Sequence, residues 1–547
     1  MTTARQISSA EWRWAGGWSA LILALSCVPY LIAAQLAPPG WEFAGFMVNP
    51  LDGQSYMAKM QQGFAGNWLF HLTYTPEPHD GAFIFTFYLA LGHLAALTGL
   101  PMIWVFHLAR LLAGLVLLGV AYRFVAHITP DLSERRLAFV LLLTSSGLGW
   151  LGAMTGAFPI DLWVPEAFVP YSLYANPHFP LSMALMLIIF QRVIWPPQTK
   201  SGIEKISNIK PLLPTSYSLL PTPYSLLPGL AALALALILP FALLTVWAVL
   251  GVFLLGLYLA RRRLPWLQIW PTLGVILFGA PVIAYDYWVS ISNPILAGWS
   301  AQNITPAPAP ANLLLGYGLV GALSVVGGLR VARRASPLEK QGEWLALGWA
   351  LTTIVLLYLP LDLQRRLING LHIPLCILAA IGLKRGLAGA SLRAGYQRLA
   401  TQAVIILSAL GTVFVWTVPL LGMLSPPDQS ATTALFFLRQ EEIIGLNWLR
   451  ENTSPDDIIL ASPRLGMFVP GQTGARAFYG HPFETIDAEA KKAMAEAFYR
   501  GERESVSPSP DFVVYGPAEQ ALGQPLSLFD YPQVFNRANI SIYKLTK

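Results

Sequence analysis

The sequence has little charge for its length. Asp, Glu, Lys and Arg make up 12% of its 547 residues, while hydrophobic residues make up 55%. Soluble proteins carry about twice that share of charge. So few charges cannot cover a water-exposed surface, which excludes a cytosolic enzyme, a nucleic-acid binder and a disordered chain. The composition therefore predicts a polytopic membrane protein, provided that the apolar residues occur in membrane-length runs.

Cysteine is also scarce. The two cysteines, Cys27 and Cys376, both lie in apolar runs, so the sequence offers neither a disulfide framework nor a zinc-ligand spacing. The C-terminal region lacks a glycine-rich nucleotide fingerprint after any strand-like segment. These absences leave the hydrophobic runs as the main structural signal.

Eleven hydrophobic runs predict an all-α membrane bundle of about eleven transmembrane helices. The first run is too long and continuous, and has no small-residue cleavage site, to be a signal peptide. The runs cover residues 18–36, 101–124, 137–155, 180–195, 229–240, 241–259, 266–287, 312–333, 344–360, 367–383 and 401–424.

The positive charges predict the orientation. With a cytoplasmic N-terminus, 20 of the 35 Lys and Arg residues fall in inner loops, 4 in outer loops and 11 beyond residue 425. By the positive-inside rule, we expect a plasma-membrane protein with an extracytoplasmic C-terminal region. Residues 83–98 are apolar enough to span, but a span there would reverse all later loops. We therefore predict a helix at the outer interface.

Two domains are predicted. Residues 1–425 form the membrane domain, with an outer loop at 37–100 that carries interfacial helices and an inner low-complexity insertion at 196–228 without a catalytic part. Residues 426–547 form a small extracytoplasmic α/β domain. Its predicted helices cover 431–451 and 487–500, and its predicted strands cover 457–461, 476–479, 512–515 and 540–543.

Ionisable residues near membrane depth are functional candidates, and several are predicted on the outer side. The first outer loop carries Asp52, Tyr56 and Lys59, and the second carries Glu166, Asn176 and His178. A later outer loop carries the pair Arg365 and Arg366. We expect Asp52, Glu166 and the arginine pair to line one outward-facing cavity.

These residue types suit transfer of a group from a lipid phosphate. Asp52 could accept a proton from an acceptor hydroxyl or amine, or hold a divalent metal (Mg or Mn) together with Glu166. Glu166 could instead orient the acceptor. Adjacent arginines bind phosphate oxygens and stabilise charge on a leaving group. No other cofactor and no nucleic acid is predicted.

Each candidate also has a structural interpretation. Asp52 could cap a helix that begins at Gly53, and Glu166 could be a solvated loop charge. His178 could cap or anchor the next span, and Arg365 and Arg366 could anchor to lipid head groups. No single residue is specific, so the functional interpretation depends on their convergence on one side of the membrane.

In topology and in these residues, the sequence resembles the polytopic glycosyltransferases of the C-type fold, such as protein O-mannosyltransferases, aminoarabinose transferases and oligosaccharyltransferases. The resemblance extends to the C-terminal stretches 447–453 (NWLRENT) and 480–485 (GHPFET). There His481 and Glu484 could face the substrate cleft, although a structural role is favoured. Many members carry two adjacent acidic residues in the first loop, whereas Gly53 follows Asp52 here.

The resemblance implies a function and roles for the candidates. Asp52 matches the catalytic first-loop aspartate and Glu166 the second-loop acidic residue. Arg365 and Arg366, helped by Lys59, would bind the lipid phosphate, and Tyr56, Asn176 and His178 the substrate. The predicted reaction moves a sugar from a polyprenyl-phosphate donor to a glycan, lipid or protein acceptor on the outer face. A transporter or flippase, which would need an internal repeat and midplane charges, and a non-catalytic scaffold are the alternatives.

Overall fold

The protein is described by a computed structural model that covers residues 7–196, 223–334, 336–390 and 393–545. Most of these residues are helical, and a small sheet lies near the C-terminus. Eight of the described helical segments are long and apolar enough to cross a membrane, which makes this a multi-pass membrane protein and confirms the predicted fold class. They are Ser9–Gln35, Met102–Ile128, Leu132–Met154, Pro240–Arg261, Trp266–Ser292, Pro310–Arg334, His372–Gly389 and Ala394–Gly422.

Three predicted spans correspond to shorter helices. His178–Ile194 and Gln341–Leu357 have 17 residues each, and Pro223–Ile238 has 16. At 1.5 Å per residue they reach about 25 Å, less than the roughly 30 Å of a hydrocarbon core. The count of eleven spans therefore stays a prediction. The 13-residue helix Thr86–Thr98 is far too short to cross a bilayer, although its interfacial position also stays a prediction.

Most of the predicted low-complexity insertion, residues 197–222, lies outside the described residues. The described chain resumes at Pro223 as a helix.

The chain forms two compact units. The first unit comprises Met1–Leu25, Arg110–Tyr285 and Thr305–Val415, and the second comprises Ser26–Ala109, Asp286–Ile304 and Trp416–Lys547. The second unit thus combines the first outer loop with the predicted C-terminal domain. The predicted domain boundary at 425/426 follows the change in composition and stays a prediction.

Small residues allow close helix packing in the first unit. A Cβ atom at Gly327 would lie 1.9 Å from the Leu378 carbonyl oxygen, and one at Gly382 would lie 2.3 Å from that of Leu323. Helices Pro310–Arg334 and His372–Gly389 therefore pack backbone against backbone. The other helical segments of this unit are Leu132–Thr144 and Gly149–Met154, which share one span, the helix Val169–Ala175 and the 3₁₀ turns Ile160–Leu162, Pro165–Ala167 and Gln364–Ile368.

The second unit contains a mixed five-stranded sheet. Its strand order is Arg476–Ala477, Ile458–Leu460, Phe512–Tyr515, Ile540–Lys544 and Gln533–Arg537, and the first three strands are parallel. Ile459 and Val513 belong to two different hydrophobic clusters, so both faces of the sheet are covered. The helical segments of the unit are Pro50–Phe64, Thr86–Thr98, Pro294–Gln302, Thr433–Leu435, Gln440–Asn452, Pro463–Gly466, Val469–Thr473, Ala488–Tyr499, Pro517–Gln520 and Leu526–Asp530.

One C-terminal element differs from its prediction. The helix predicted over 431–451 begins only at Gln440, because Phe437–Arg439 instead forms a strand antiparallel to Trp41–Phe43. The backbone N–H of Arg439 donates to Glu442 Oε2 at 2.9 Å, which fixes the helix start there. The amphipathic pattern identified the helix but not the long-range strand pairing that shortens it.

Two glycines bring the first-loop helix Pro50–Phe64 against the helix Thr86–Thr98. A Cβ at Gly63 would lie 2.0 Å from the Leu89 carbonyl oxygen, and one at Gly92 would lie 2.0 Å from that of Met60. Because the obstacles are backbone atoms, neither position tolerates a side chain without separating the helices.

Gly92→Ala is therefore expected to lower the free energy of unfolding of the purified protein by about 1–3 kcal/mol, because it forces the two helices apart. Its melting temperature should fall accordingly. Gly119→Ala is the matched control, since a Cβ at that helical position meets no atom within 4 Å. It should cause no loss. Equal melting temperatures for the two variants would contradict the packing argument.

Candidate active site

Asp52 lies in the first turn of the first-loop helix. The helix begins at Pro50, directly after Asn49, whose φ of 40° is left-handed. Asp52 is thus the third helical residue, so the interpretation as a cap of a helix from Gly53 is wrong. Asn49 Nδ2 donates to Asp52 Oδ2 at 2.6 Å. The partial positive charge of the helix N-terminus favours the carboxylate anion there.

The residue after Asp52 must be glycine. A Cβ at Gly53 would lie 2.3 Å from Cγ of the Phe46 ring, which is itself buried. A second acidic side chain at this position would therefore displace the aromatic ring from the core. This explains why a single carboxylate stands where the resembled family often has two.

A buried ion pair lies farther along the same helix. Lys59 Nζ donates to Glu484 Oε1 at 2.7 Å, and the Lys59 and Glu484 side chains are 2% and 11% exposed. Ser55 Oγ lies 2.5 Å from both Lys59 Nζ and Glu484 Oε1. Burial raises the pKa of the Glu484 carboxyl, but Lys59, His481 and Ser55 together lower it more, so Glu484 stays ionised.

Aromatic rings surround the Lys59 ammonium, which lies 4.6 Å from the ring centre of Phe85 and 5.3 Å from that of Phe70. Tyr56 stacks on Tyr88 with ring centres 4.3 Å apart. Lys59 is thus engaged by Glu484, Ser55 and aromatic faces. Its role toward a lipid phosphate, and that of Tyr56 toward the substrate, stay predictions.

Residues 480–485, here called the GHPFET loop, bring His481 and Glu484 to this helix. Thr485 Oγ1 donates to the Tyr74 carbonyl at 2.8 Å and accepts from the His481 backbone N–H at 3.3 Å. The Thr485 backbone N–H donates to the His481 carbonyl at 2.9 Å. Gly480 passes so close to Gly466 that a Cβ would lie 2.3 Å from its carbonyl oxygen.

The helix Pro294–Gln302 holds the same loop from another side. Trp299 Nε1 and Asn303 Nδ2 donate to the Phe483 carbonyl at 2.9 and 2.6 Å. Gln302 Nε2 donates to the Thr485 carbonyl at 2.9 Å. The loop is therefore fixed on both flanks of the residues that face Asp52 and Lys59.

His481 is the residue of this loop that faces Asp52. Its Nε2 lies 3.9 Å from Asp52 Oδ1, and the two side chains are 2% and 44% exposed. Burial lowers the pKa of His481 to about 4, and the opposing effect of Glu484 is smaller. A neutral imidazole thus stands beside an accessible carboxylate.

The second group of candidates belongs to the first unit. Glu166 is buried, and Arg365 Nη1 donates to its Oε1 at 3.1 Å. The Arg365 guanidinium lies over the Trp163 ring at 5.0 Å. The interpretation of Glu166 as a solvated loop charge is therefore wrong. Its role as acceptor ligand or acid, and that of Arg365 as phosphate ligand, stay predictions.

The remaining candidates of the first unit lie near helix ends. The Arg366 guanidinium lies over the Phe241 ring at 4.7 Å. Asn176 follows the helix Val169–Ala175, and His178 is the first residue of His178–Ile194; both are buried. Their substrate contacts stay predictions, as does the expectation that Asp52, Glu166 and the arginine pair line one cavity.

Solved structures share this architecture. ArnT from Cupriavidus metallidurans bound to undecaprenyl phosphate superposes with a TM-score of 0.52 at 14% identity, over 96% of this chain and 98% of that one. The apo state of the same protein gives a TM-score of 0.50 at 14% identity, over 97% of this chain and 98% of that one. The chain has the C-type glycosyltransferase fold. The Archaeoglobus fulgidus oligosaccharyltransferase in complex with Zn and sulfate gives a TM-score of 0.46 at 14% identity, over 93% of this chain and 71% of that one.

No protein-family model matches the chain, and no curated protein does. The likeness to solved structures therefore shows the C-type fold alone.

The described surroundings of Asp52 offer few further ligands for a divalent metal. The described residues contain no cluster of three or more His, Cys, Asp or Glu that could hold a metal ion. Phe46 excludes a second carboxylate at Gly53, and His481 Nδ1 already accepts a backbone hydrogen bond from Phe483 at 3.1 Å. The shared Asp52–Glu166 metal site stays a prediction.

Two features of the site were missed from the sequence. Ser55, which shares the buried charge of Lys59, was not singled out, although its i,i+4 spacing places both residues on one helix face. Asp161, in the same predicted outer loop as Glu166, was not singled out either, yet it is 1% exposed. Its Oδ2 accepts from Ser146 Oγ and the backbone N–H groups of Gly147 and Gly149 at 3.0–3.1 Å.

Removing one member of the buried ion pair should destabilise the protein strongly. Lys59→Met leaves Glu484 buried without its cation, which is expected to cost about 3–5 kcal/mol in thermal unfolding. The double variant Lys59→Met with Glu484→Leu should recover much of that loss. Arg500→Met, in the exposed pair with Glu502, is the control and should change little. If the stability losses of the two single substitutions simply added up in the double variant, the pairing would be contradicted.

Asp161 should make stability depend on pH. Burial raises its pKa to about 6, so the folded state favours the protonated form. Its stabilising contribution is full below the unfolded pKa near 4 and is lost as the pH rises to 6. Between pH 4 and 7, the free energy of unfolding of the wild type should therefore fall by on the order of 2–3 kcal/mol relative to that of Asp161→Asn.

Melting temperatures across that pH range check this expectation. The exposed Asp428→Asn is the control and should follow the wild-type profile. A difference between wild type and Asp161→Asn that does not vary with pH would show that Asp161 does not titrate in this way.

Proposed function

We propose that this protein is a membrane glycosyltransferase that moves a sugar from a polyprenyl-phosphate-linked donor to an acceptor on the extracytoplasmic face. The observation that carries the proposal is the accessibility of Asp52. Its side chain is 44% exposed, whereas Lys59 and Glu484 on the same face are buried and neutralise each other. An accessible carboxylate held at a helix N-terminus can receive the acceptor's proton.

The arginine pair supports a phosphate-bearing donor. Arg365 and Arg366 stand next to each other at the end of a spanning region, each against an aromatic ring. An apolar groove of about 530 Å³ between the helices Pro240–Arg261 and Gln341–Leu357 is of a kind that accepts hydrocarbon. Undecaprenyl phosphate bound to the structural neighbour ArnT also supports a lipid-linked donor.

The proposed reaction follows from these groups. The acceptor's nucleophilic atom attacks the anomeric carbon and forms the new glycosidic bond, with inversion. The bond from that carbon to the phosphate oxygen breaks, and its electron pair leaves with the polyprenyl phosphate. Asp52 takes the acceptor's proton, and the guanidinium groups stabilise the phosphate charge. The residues Glu166, Tyr56, Asn176 and His178 would position the two substrates.

The packing of the second unit supports the proposed orientation. Because Glu484 contacts Lys59 directly, the GHPFET loop and the first-loop helix must lie on the same side of the membrane. The distribution of Lys and Arg then favours the outside for both, with the N-terminus in the cytoplasm.

The proposal is tested by a transfer assay on the full-length protein in lipid nanodiscs. Undecaprenyl-phosphate-linked hexoses and pentoses serve as donors, and an extract of the cell envelope serves as acceptor. Asp52→Asn should lower the rate about 100- to 10,000-fold, because the variant cannot accept a proton. Asp80→Asn changes an exposed carboxylate of the same loop and is the control.

Full activity of Asp52→Asn would refute the role of Asp52. A flippase predicts a different pattern, in which the labelled lipid crosses the bilayer without loss of its sugar and Asp52→Asn has no effect on that movement. A scaffold predicts that neither transfer nor movement of the donor occurs.

A further inference from the structure

His481 presents a buried hydrogen-bond donor that has no partner. Its Nδ1 accepts from the Phe483 backbone N–H at 3.1 Å, so Nδ1 carries no proton. In the neutral ring the proton is then on Nε2, which makes Nε2 a donor. Over the range that the structure describes, His481 Nε2 is buried and makes no hydrogen bond. An unsatisfied buried donor is costly, which points to a ligand.

The ring cannot turn away to find a partner elsewhere. Phe483 binds its Nδ1, and the backbone of His481 is held by Thr485. Tyr74 packs against one side with ring centres 5.5 Å apart. The low pKa caused by burial is consistent with a ring that stays neutral at neutral pH.

The Nε2–H group of His481 faces the Asp52 carboxylate. Asp52 Oδ1 lies 3.9 Å from Nε2, too far for a direct hydrogen bond. An oxygen atom about 2.8 Å from both would bridge the gap at an angle of about 90°. The pair therefore offers one donor and one anionic acceptor to a single small group.

Only some nucleophiles satisfy both partners. A hydroxyl accepts from Nε2–H with one lone pair, donates its proton to Asp52 and keeps its second lone pair for attack. A phosphate dianion accepts only and would be repelled by the Asp52 carboxylate. A neutral amine has a single lone pair, so accepting from Nε2–H would leave it none for attack.

We propose that Asp52 and His481 form the acceptor site and that the acceptor is an alcohol. This inference rests on the proposed function and specifies its acceptor. The hydroxyl oxygen forms the bond to the anomeric carbon, its proton passes to Asp52, and the donor's bond to phosphate breaks with the electron pair on the phosphate. His481 keeps its proton throughout and holds the oxygen in line.

Three acceptors that differ only in their nucleophile test the substrate class. Octyl glucoside, octylamine and octyl phosphate are offered, below micelle-forming concentrations, to the protein in phosphatidylcholine nanodiscs with a labelled undecaprenyl-phosphate sugar. Product is expected with octyl glucoside alone. Comparable or preferred transfer to octylamine or octyl phosphate would overturn the proposal.

Two conservative variants test the residue. His481→Asn keeps an acceptor for the Phe483 N–H but lacks a group at the Nε2 position, so kcat/KM for octyl glucoside should fall about 10- to 100-fold. The KM for the donor should stay unchanged. His481→Gln places an amide N–H near the Nε2 position and should recover part of the loss. Wild-type activity of His481→Asn would overturn the assignment.

A binding measurement separates this inference from the proposed function. In ¹⁵N-histidine-labelled protein, octyl glucoside should shift the Nε2–H resonance that is missing in His481→Asn, and octyl phosphate should not. If the shift occurs without any transfer, the hydroxyl site holds and the glycosyltransferase proposal fails. If transfer occurs and the resonance does not respond to octyl glucoside, the hydroxyl site fails.

Discussion

The buried ion pair between Lys59 and Glu484 is the constraint on which the second unit depends. Two charges removed from water are tolerated only when each compensates the other and their remaining hydrogen-bonding capacity is used. Ser55 and the Phe85 ring complete that compensation for Lys59. The GHPFET loop therefore cannot leave the first-loop helix without uncovering a charge, and His481 is held opposite Asp52 as a consequence.

Glycines set the shape of the same site. Gly63 and Gly92 let two helices touch backbone to backbone, and this contact fixes the axis of the helix that carries Asp52. Gly53 makes room for the Phe46 ring and leaves Asp52 without an acidic neighbour. Packing and chemistry are thus linked. The core requires glycine beside Asp52, and glycine lacks the carboxylate that a divalent metal would use as a ligand.

The sequence predicted the parts of this fold that depend on local patterns. Hydropathy located the long spans, and short apolar runs located strands such as Ile458–Leu460 and Phe512–Tyr515. It could not pair Lys59 with Glu484, since no local pattern connects residues 425 positions apart. For the same reason it gave no sign that His481 lies opposite Asp52. The segment Phe437–Arg439 was predicted as helix because its strand partner lies far away in the sequence, at Trp41–Phe43.

Four acidic side chains illustrate how environment divides roles among identical groups. Glu484 and Glu166 are buried and each forms an ion pair with a cation, so neither charge faces solvent. Asp161 is buried and forms no ion pair with a described residue, and burial raises its pKa. Of the four, only Asp52 is substantially exposed. Its neighbour His481 has a neutral ring that can donate a hydrogen bond but does not neutralise the carboxylate charge. Under the proposed function, the group that takes the acceptor's proton is thus also the one that a substrate can reach.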